Sequence, residues 1–168
     1  MFVASMNPCP CGFYGSLDKE CTCSKEAISR YMGKISGPLL DRIDIQIEVT
    51  PVKYQKLENN SNQIKSEDIR KRVNRARKIQ VNRYKDYEIY SNSELTPKLT
   101  EKYCRLDEAS KKIMQYCFEK LGLSARAYER ILKVARTIAD LDEKENIEEK
   151  HIAEAIQYRS LDRKYWKN

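Results

Sequence analysis

Hydrophobic and polar positions divide the chain into a short N-terminal part with strand-like runs and a longer part with helical spacing. Phe2 to Met6 is an apolar run that stops at Asn7-Pro8. It reads as a buried strand ending where proline removes a backbone donor. Such a strand needs partners and few strands follow it, so the chain is expected to begin inside a larger domain. Residues 8–23 form a loop rich in Cys, Gly and Pro, after which Ser24 caps a short helix reaching about Met32. Ser36 to Arg42 is a tight turn, with Leu39 and Leu40 expected to anchor it in a core. From Ile43 to Val49, Ile43, Ile45, Ile47 and Val49 alternate with Asp44, Gln46 and Glu48, the pattern of a half-buried strand.

Tyr54 to Lys65 is polar, with ENNSNQ at its centre, and reads as a linker. The spacing beyond it predicts four helices. The first is capped by Ser66 and runs to about Tyr84, with acids in its first turn and bases later, as the macrodipole favours. The second runs from Asp107 to Leu121-Gly122, the third from Ser124 to about Leu141, and the fourth over Ile147 to Arg159. The expected architecture is mostly α: a helical bundle over 66–168, a linker over 53–65, and over 1–52 a truncated α/β remnant with one or two strands.

Composition sharpens this picture. Five Gly and five Pro argue against a turn-rich β fold, and 34% charged residues suit a helical, water-facing chain. The formal charge of +7 favours a polyanionic partner only weakly. No basic n-region opens the chain and no apolar run is long enough to span a bilayer, so a cytoplasmic protein without a membrane partner is expected. In that compartment six cysteines read as thiols or metal ligands before disulfides.

Five groups of residues could carry chemistry. Asn7 ends the first apolar run, where an amide could hold a water or phosphate oxygen, or serve only the turn before proline. Cys9, Cys11, Cys21 and Cys23 make two C-x-C pairs nine residues apart. They could close a tetrahedral zinc site or remain free thiols, since C-x-x-C is the commoner spacing. Cys104 and Cys117 read as small core residues. Arg42, on the corner of Ser36-Gly37-Pro38-Leu39-Leu40-Asp41-Arg42-Ile43-Asp44, could reach a γ-phosphate across an interface, or pair with Asp41 or Asp44. Arg126 falls in the first turn of its helix, against the macrodipole, which points to an anion met there. Arg130 and Arg136 read as solvated or paired. The basic run from Arg70 to Lys78 is either a phosphate-tracking face or a solvated helix surface. His151, the only histidine, falls on a polar helix face with no catalytic partner and reads as structural. No G-x-x-x-x-G-K-[ST] occurs in these residues, and no apolar run ends in paired acids that could hold Mg²⁺.

Together, Met6-Asn7-Pro8-Cys9-Pro10-Cys11-Gly12, the Ser36–Asp44 segment, Leu123-Ser124-Ala125-Arg126-Ala127-Tyr128 and Val134-Ala135-Arg136-Thr137-Ile138-Ala139-Asp140-Leu141 resemble the magnesium-chelatase-like AAA+ ATPases of the ComM/YifB family. The resemblance spans nearly the whole chain in the same order. It implies that Asn7 is a sensor 1 residue beside the γ-phosphate, Arg42 an arginine finger for the next subunit's ATP, and Arg126 the sensor 2 arginine of a helical lid. It also implies ATP and Mg²⁺ as cofactors of the full-length protein, a hexameric ring of like copies, and remodelling of DNA. The segment without the nucleotide-binding loop would not hydrolyse ATP alone. Two alternatives stand beside this reading: a chelatase motor subunit acting on a porphyrin-handling partner, and a zinc-stabilised nucleic-acid-binding module.

Overall fold

The computed structural model describes residues 1–16, 18–49 and 64–159. These fall into two compact units, Met1–Ile43 and Asp44–Arg159. Seven α-helices carry the described residues: α1 Lys25–Met32, α2 Gly37–Leu40, α3 Ser66–Arg83, α4 Pro97–Tyr103, α5 Glu108–Leu121, α6 Ala125–Leu141 and α7 Glu149–Gln157. The mostly helical architecture predicted from the sequence is therefore the one observed.

Local side-chain chemistry sets most of the helix boundaries. Ser24, Asp107 and Ser124 each accept the backbone N–H three residues ahead, at 3.2, 2.7 and 3.1 Å. That same N–H from Ser110 holds the Asp107 carboxyl below its ordinary range. Gly122 ends α5 in the left-handed region at φ 47°, and Leu123 N–H closes back on Phe118 O at 3.1 Å. α3 differs slightly from expectation: Lys65 is its cap and Ser66 its first residue, with no side-chain capping bond. α4 was not anticipated, although Thr96 caps it and Pro97 opens it, as helix starts commonly require.

The strands read from the sequence do not form ladders. Among the described residues the only β pairing is an isolated bridge, Leu106 to Ile147. Phe2 and Val3 are 76% and 80% exposed, and Ile45, Ile47 and Val49 face solvent too. Both segments alternate or cluster as strands should, but no partner strand for them lies among the described residues. Among the described residues of unit 1 the buried apolar ones are Cys9, Met32 and Leu40; Leu39, expected beside Leu40 in the core, is 45% exposed.

α6 is the centre of the second unit. Ile131, Ala135, Ile138 and Ala139 pack into a core with Tyr84, Leu95, Cys104, Met114, Ile147, Ile152 and Ala155. Burial pushes the Cys104 thiol up to about 11, which keeps it a neutral core residue. On a second face α6 buries charge. Asp140 is wholly buried, and Arg83 approaches it with both terminal nitrogens, Nη1 to Oδ2 at 2.9 Å and Nη2 to Oδ1. Arg136, 2% exposed, adds Nη2 to Oδ1 at 3.1 Å. The Asn92 amide donates to Asp140 Oδ2 at 2.8 Å, and Tyr84 O–H donates to Asn92 Oδ1 at 2.7 Å. Two guanidiniums against one carboxylate leave an excess positive charge. Arg136 spends it on the carbonyls of Lys144 and Glu145, both at 2.6 Å, at the negative end of α6. Just before them Glu143 sits at φ 57°, an unusual conformation for a residue with a side chain.

His151 corrects its sequence assignment. It is structural, as read, but it is 1% exposed and does not lie on a polar face. Its Nδ1 accepts Glu148 N–H at 2.9 Å and its Nε2 faces Asp142 Oδ2 at 3.3 Å, so the ring ties the start of α7 to the end of α6.

Replacing Asp140 by Asn keeps the shape but leaves two guanidiniums near a neutral group. Breaking a buried ion pair from one side costs about 3–5 kcal/mol. Urea unfolding of Asp140→Asn is expected to show a loss of that order with an unchanged denaturant slope.

Candidate functional site

The loop before α1 gathers four sulfurs. Gly12 and Gly15, at φ 83° and 79°, allow the chain to double back on itself. Gly12 N–H donates to Cys9 O at 3.0 Å, and Tyr14 N–H donates to Cys9 Sγ at 3.3 Å. The second C-x-C pair is anchored differently: Cys23 immediately precedes Ser24, the cap of α1. The result places Cys9 Sγ 3.3 Å from Cys11 Sγ and 3.7 Å from Cys21 Sγ, with Cys11 to Cys21 at 3.5 Å. All four sulfurs, Cys23 included, lie within 4.8 Å of one another. A disulfide would need about 2.05 Å, and these are free thiols. Zinc–sulfur bonds of about 2.3 Å in a tetrahedron give sulfur–sulfur edges of about 3.8 Å. The cluster is close to that size without a disulfide.

The thiols are unequal. Hydrogen bonding from the Phe13 backbone lowers Cys11 to about 6, outweighing the effect of burial. At Cys21 the Cys23 backbone acts in the same lowering direction, but burial and the neighbouring sulfurs prevail and raise it to about 12. Cys23 is raised for the same reasons. One thiolate forms readily, and its negative charge holds its neighbours protonated. A bound divalent cation would remove that conflict.

The other predicted site residues are placed as follows. Asn7 is exposed, with its amide alongside Gly12: a β-carbon built on Gly12 would stand 3.7 Å from Asn7 Nδ2. Arg42 is exposed at the end of the turn that α2 forms, and its Nη1 donates to Pro38 O at 2.8 Å. It pairs with neither Asp41 nor Asp44, the alternatives open from the sequence; Asp44 pairs with Arg130. Arg126 is exposed in the first turn of α6, with no hydrogen-bond or ion-pair partner among the described residues. Asn7 and Arg42 belong to the first unit and Arg126 to the second. Cys104 is buried and Cys117 half-buried, both away from the sulfur cluster in sequence and in unit.

Sequence reasoning missed the surroundings of Arg126. It lines a groove of about 530 Å³ with Arg130, Lys133, Thr137, Asp44 and Glu154. The i, i+4, i+7 spacing of Arg126, Arg130 and Lys133 was the available signal. Arg130 is held by Asp44, and Lys133 donates to Leu95 O at 2.6 Å, so Arg126 is the unengaged cation of the three.

The profile described as "Magnesium chelatase, subunit ChlI C-terminal" matches residues 63–159, and that of "Magnesium chelatase, subunit ChlI" matches residues 1–57. The chain belongs to the magnesium chelatase ChlI family. Within it, the chain is 40% identical to the competence protein ComM of Haemophilus influenzae, over 95% of this chain and 30% of that protein. It is 37% and 36% identical to the YifB proteins of Salmonella typhimurium and Escherichia coli, over 96% of this chain and 31% of each. It thus matches a ComM/YifB fragment and spans about a third of the length of these relatives. The boundary between the two family matches falls at residues 57–63, inside the polar stretch read as a linker, which lies outside the described residues except for Ile64 and Lys65. Among the described residues, no helix is long and apolar enough to cross a membrane.

For this chelatase-family chain, metal-free and reduced, iodoacetamide is expected to modify Cys11 before Cys21 at pH 7. The Cys11 rate should fall as pH drops below about 6, where the thiolate takes up a proton. Time-resolved peptide mass mapping checks both points.

Proposed function

We propose that this chain is the C-terminal part of an AAA+ ring ATPase that couples ATP hydrolysis to remodelling of DNA. In this reading Arg42 is an arginine finger acting on the ATP of the adjacent copy in a hexamer. Asn7 and Arg126 act on the nucleotide of their own subunit, as sensor 1 and sensor 2. ATP and Mg²⁺ are the cofactors, the triphosphate being held by parts of the longer protein outside these residues.

One contrast carries the reading. Arg83, Arg136, Arg130, Arg72 and Arg75 are each engaged by a carboxylate. Arg42 and Arg126 are exposed and have no carboxylate partner among the described residues, as is true also of Arg30, Arg70, Arg77 and Arg105; of these six, Arg42 and Arg126 stand in the segments that resemble the family's nucleotide-contacting motifs. A guanidinium kept off carboxylates is free to meet a phosphate, whose oxygens suit its planar donors. The competence role in the printed name of the Haemophilus relative favours DNA as the material acted on. The family description favours a second reading, a chelatase motor acting on a porphyrin-handling partner. DNA-stimulated ATPase in the full-length protein decides for the first; stimulation only by such a partner decides for the second.

The four cysteines fit a structural zinc ion in this proposal. The donor set is all sulfur, which suits zinc, and the site is closed. Metal analysis of the purified chain is expected to give one zinc per chain, lost in Cys9→Ser. Absence of bound metal in a reduced preparation refutes the zinc assignment.

In the full-length protein, Arg42→Ala is expected to lower ATP turnover by about 10³-fold or more, the scale of a lost arginine finger. ATP affinity should change little, because the group is supplied by a neighbour. Steady-state hydrolysis together with nucleotide binding tests this, and normal turnover in the variant removes Arg42 from the site.

A further inference from the structure

We infer that the outward face of α3 docks the phosphodiester backbone of nucleic acid, an assignment that rests on the nucleic-acid reading above and gives it a surface. α3 turns Ala76, Gln80 and the half-buried Arg83 inward. On one flank Arg72 and Arg75 are neutralised by Asp142 and Glu143 at the end of α6. The opposite face carries Arg70, Lys71, Asn74, Arg77 and Lys78, all exposed. Its only acidic neighbour on the helix outside the flank is in the first turn, where Glu67 meets Lys71 at 2.8 Å. Both partners are well exposed, so that pair is weak and easily exchanged. Arg77 reaches only the neutral Gln80, at 3.4 Å. Arg70 and Lys78 have no partner among the described residues.

The division is therefore spatial as well as compositional. Apart from Glu67, the acids that α3 meets among the described residues serve one side, and the cations left over share the other. Their spacing suits a regular polyanion. Residues seven apart on a helix stand about 10 Å apart along its axis. Arg70 with Lys71, and Arg77 with Lys78, thus make two basic pairs at that separation, with Asn74 between them as a neutral donor. One strand of a duplex presents a phosphate about every 3.4 Å along its axis, so the two pairs span about three phosphates. In this reading the face meets phosphates alone, and the contact would be independent of sequence.

The test measures binding of the 168-residue chain to a short labelled DNA duplex by fluorescence anisotropy, from about 50 to 200 mM salt. Arg70→Glu/Lys78→Glu is expected to weaken binding by about tenfold or more at the low-salt end and to flatten the log–log salt slope by about 2. Arg70→Gln/Lys78→Gln should flatten the slope equally with a smaller loss. Lys98→Glu/Lys112→Glu makes the same change in net charge at two exposed lysines elsewhere and should leave the slope unchanged. Equal losses in both reversal variants, or no binding by the unmodified chain, overturn the docking surface. So does a self-associated chain that the Arg70/Lys78 variant dissociates, which would make the face a contact between copies. In the full-length protein, DNA-stimulated ATPase that survives Arg70→Glu/Lys78→Glu unchanged overturns this surface and leaves the motor reading standing. Loss of stimulation in the unmodified protein is what would remove the motor reading itself.

Discussion

A single buried carboxylate organises the helical unit. Asp140 has no access to water, and an ionised group there is tolerable only if every lone pair is met. Arg83 from α3, Arg136 from α6 itself and Asn92 from the 3-10 turn at Asn92–Glu94 meet it together. Each of these is secured in turn: Asn92 by Tyr84 and Thr137, and Arg136 by two carbonyls beyond the end of α6. Hydrophobic packing alone would let α3 and α6 slide or rotate at modest cost. A bidentate guanidinium–carboxylate contact does not, because its strength depends on angle as well as distance. The consequence reaches the surface. With its inner faces pinned by the core and by Asp140, α6 has one free side, and Arg126, Arg130 and Lys133 stand along it.

The first unit solves the same problem with different means. Its buried apolar residues are few, Cys9, Met32 and Leu40 among those described. Where few apolar residues are buried, a metal is one means of holding a loop in place. The four cysteines are the residues through which such a staple would act. A metal there would join the turn that follows Asn7 to the start of α1. The half-buried sulfurs and the unequal thiols describe a cluster whose parts repel one another once ionised, a conflict that a cation resolves.

What the sequence disclosed and what it withheld follow from how local each signal is. The caps at Ser24, Asp107 and Ser124 were legible because an N-cap bond joins residues three apart and needs nothing else. The sulfur cluster was legible as two C-x-C pairs, although spacing alone could not bring the pairs together; the turns at Gly12 and Gly15 do that. Thr96-Pro97 carried the same kind of signal and was overlooked because the helix it opens is short. The strands were misread because alternation records only one side of a ladder, while pairing depends on residues far away in sequence. His151 was misplaced for a related reason. It was read on a polar face, which usually means solvent, but α7 is covered on more than one side. A polar residue there is buried with partners supplied by the next turn of chain, and no periodicity reveals those partners.

The same logic bears on Arg42. Its hydrogen bond to Pro38 O is a contact with its own turn, four residues back, and with a neutral acceptor. Such a bond is worth about 1 kcal/mol net. An ion pair with Asp41 or Asp44 would have neutralised its charge, and Asp44 is occupied by Arg130 instead. The guanidinium therefore rests in an ordered position without being neutralised. Exchange of one carbonyl for the oxygens of a phosphate would gain charge-assisted bonds at the expense of a weak neutral one. A residue meant only to hold its turn together would have no need to keep its charge unpaired, whereas a residue that meets an anion supplied from elsewhere would need this arrangement.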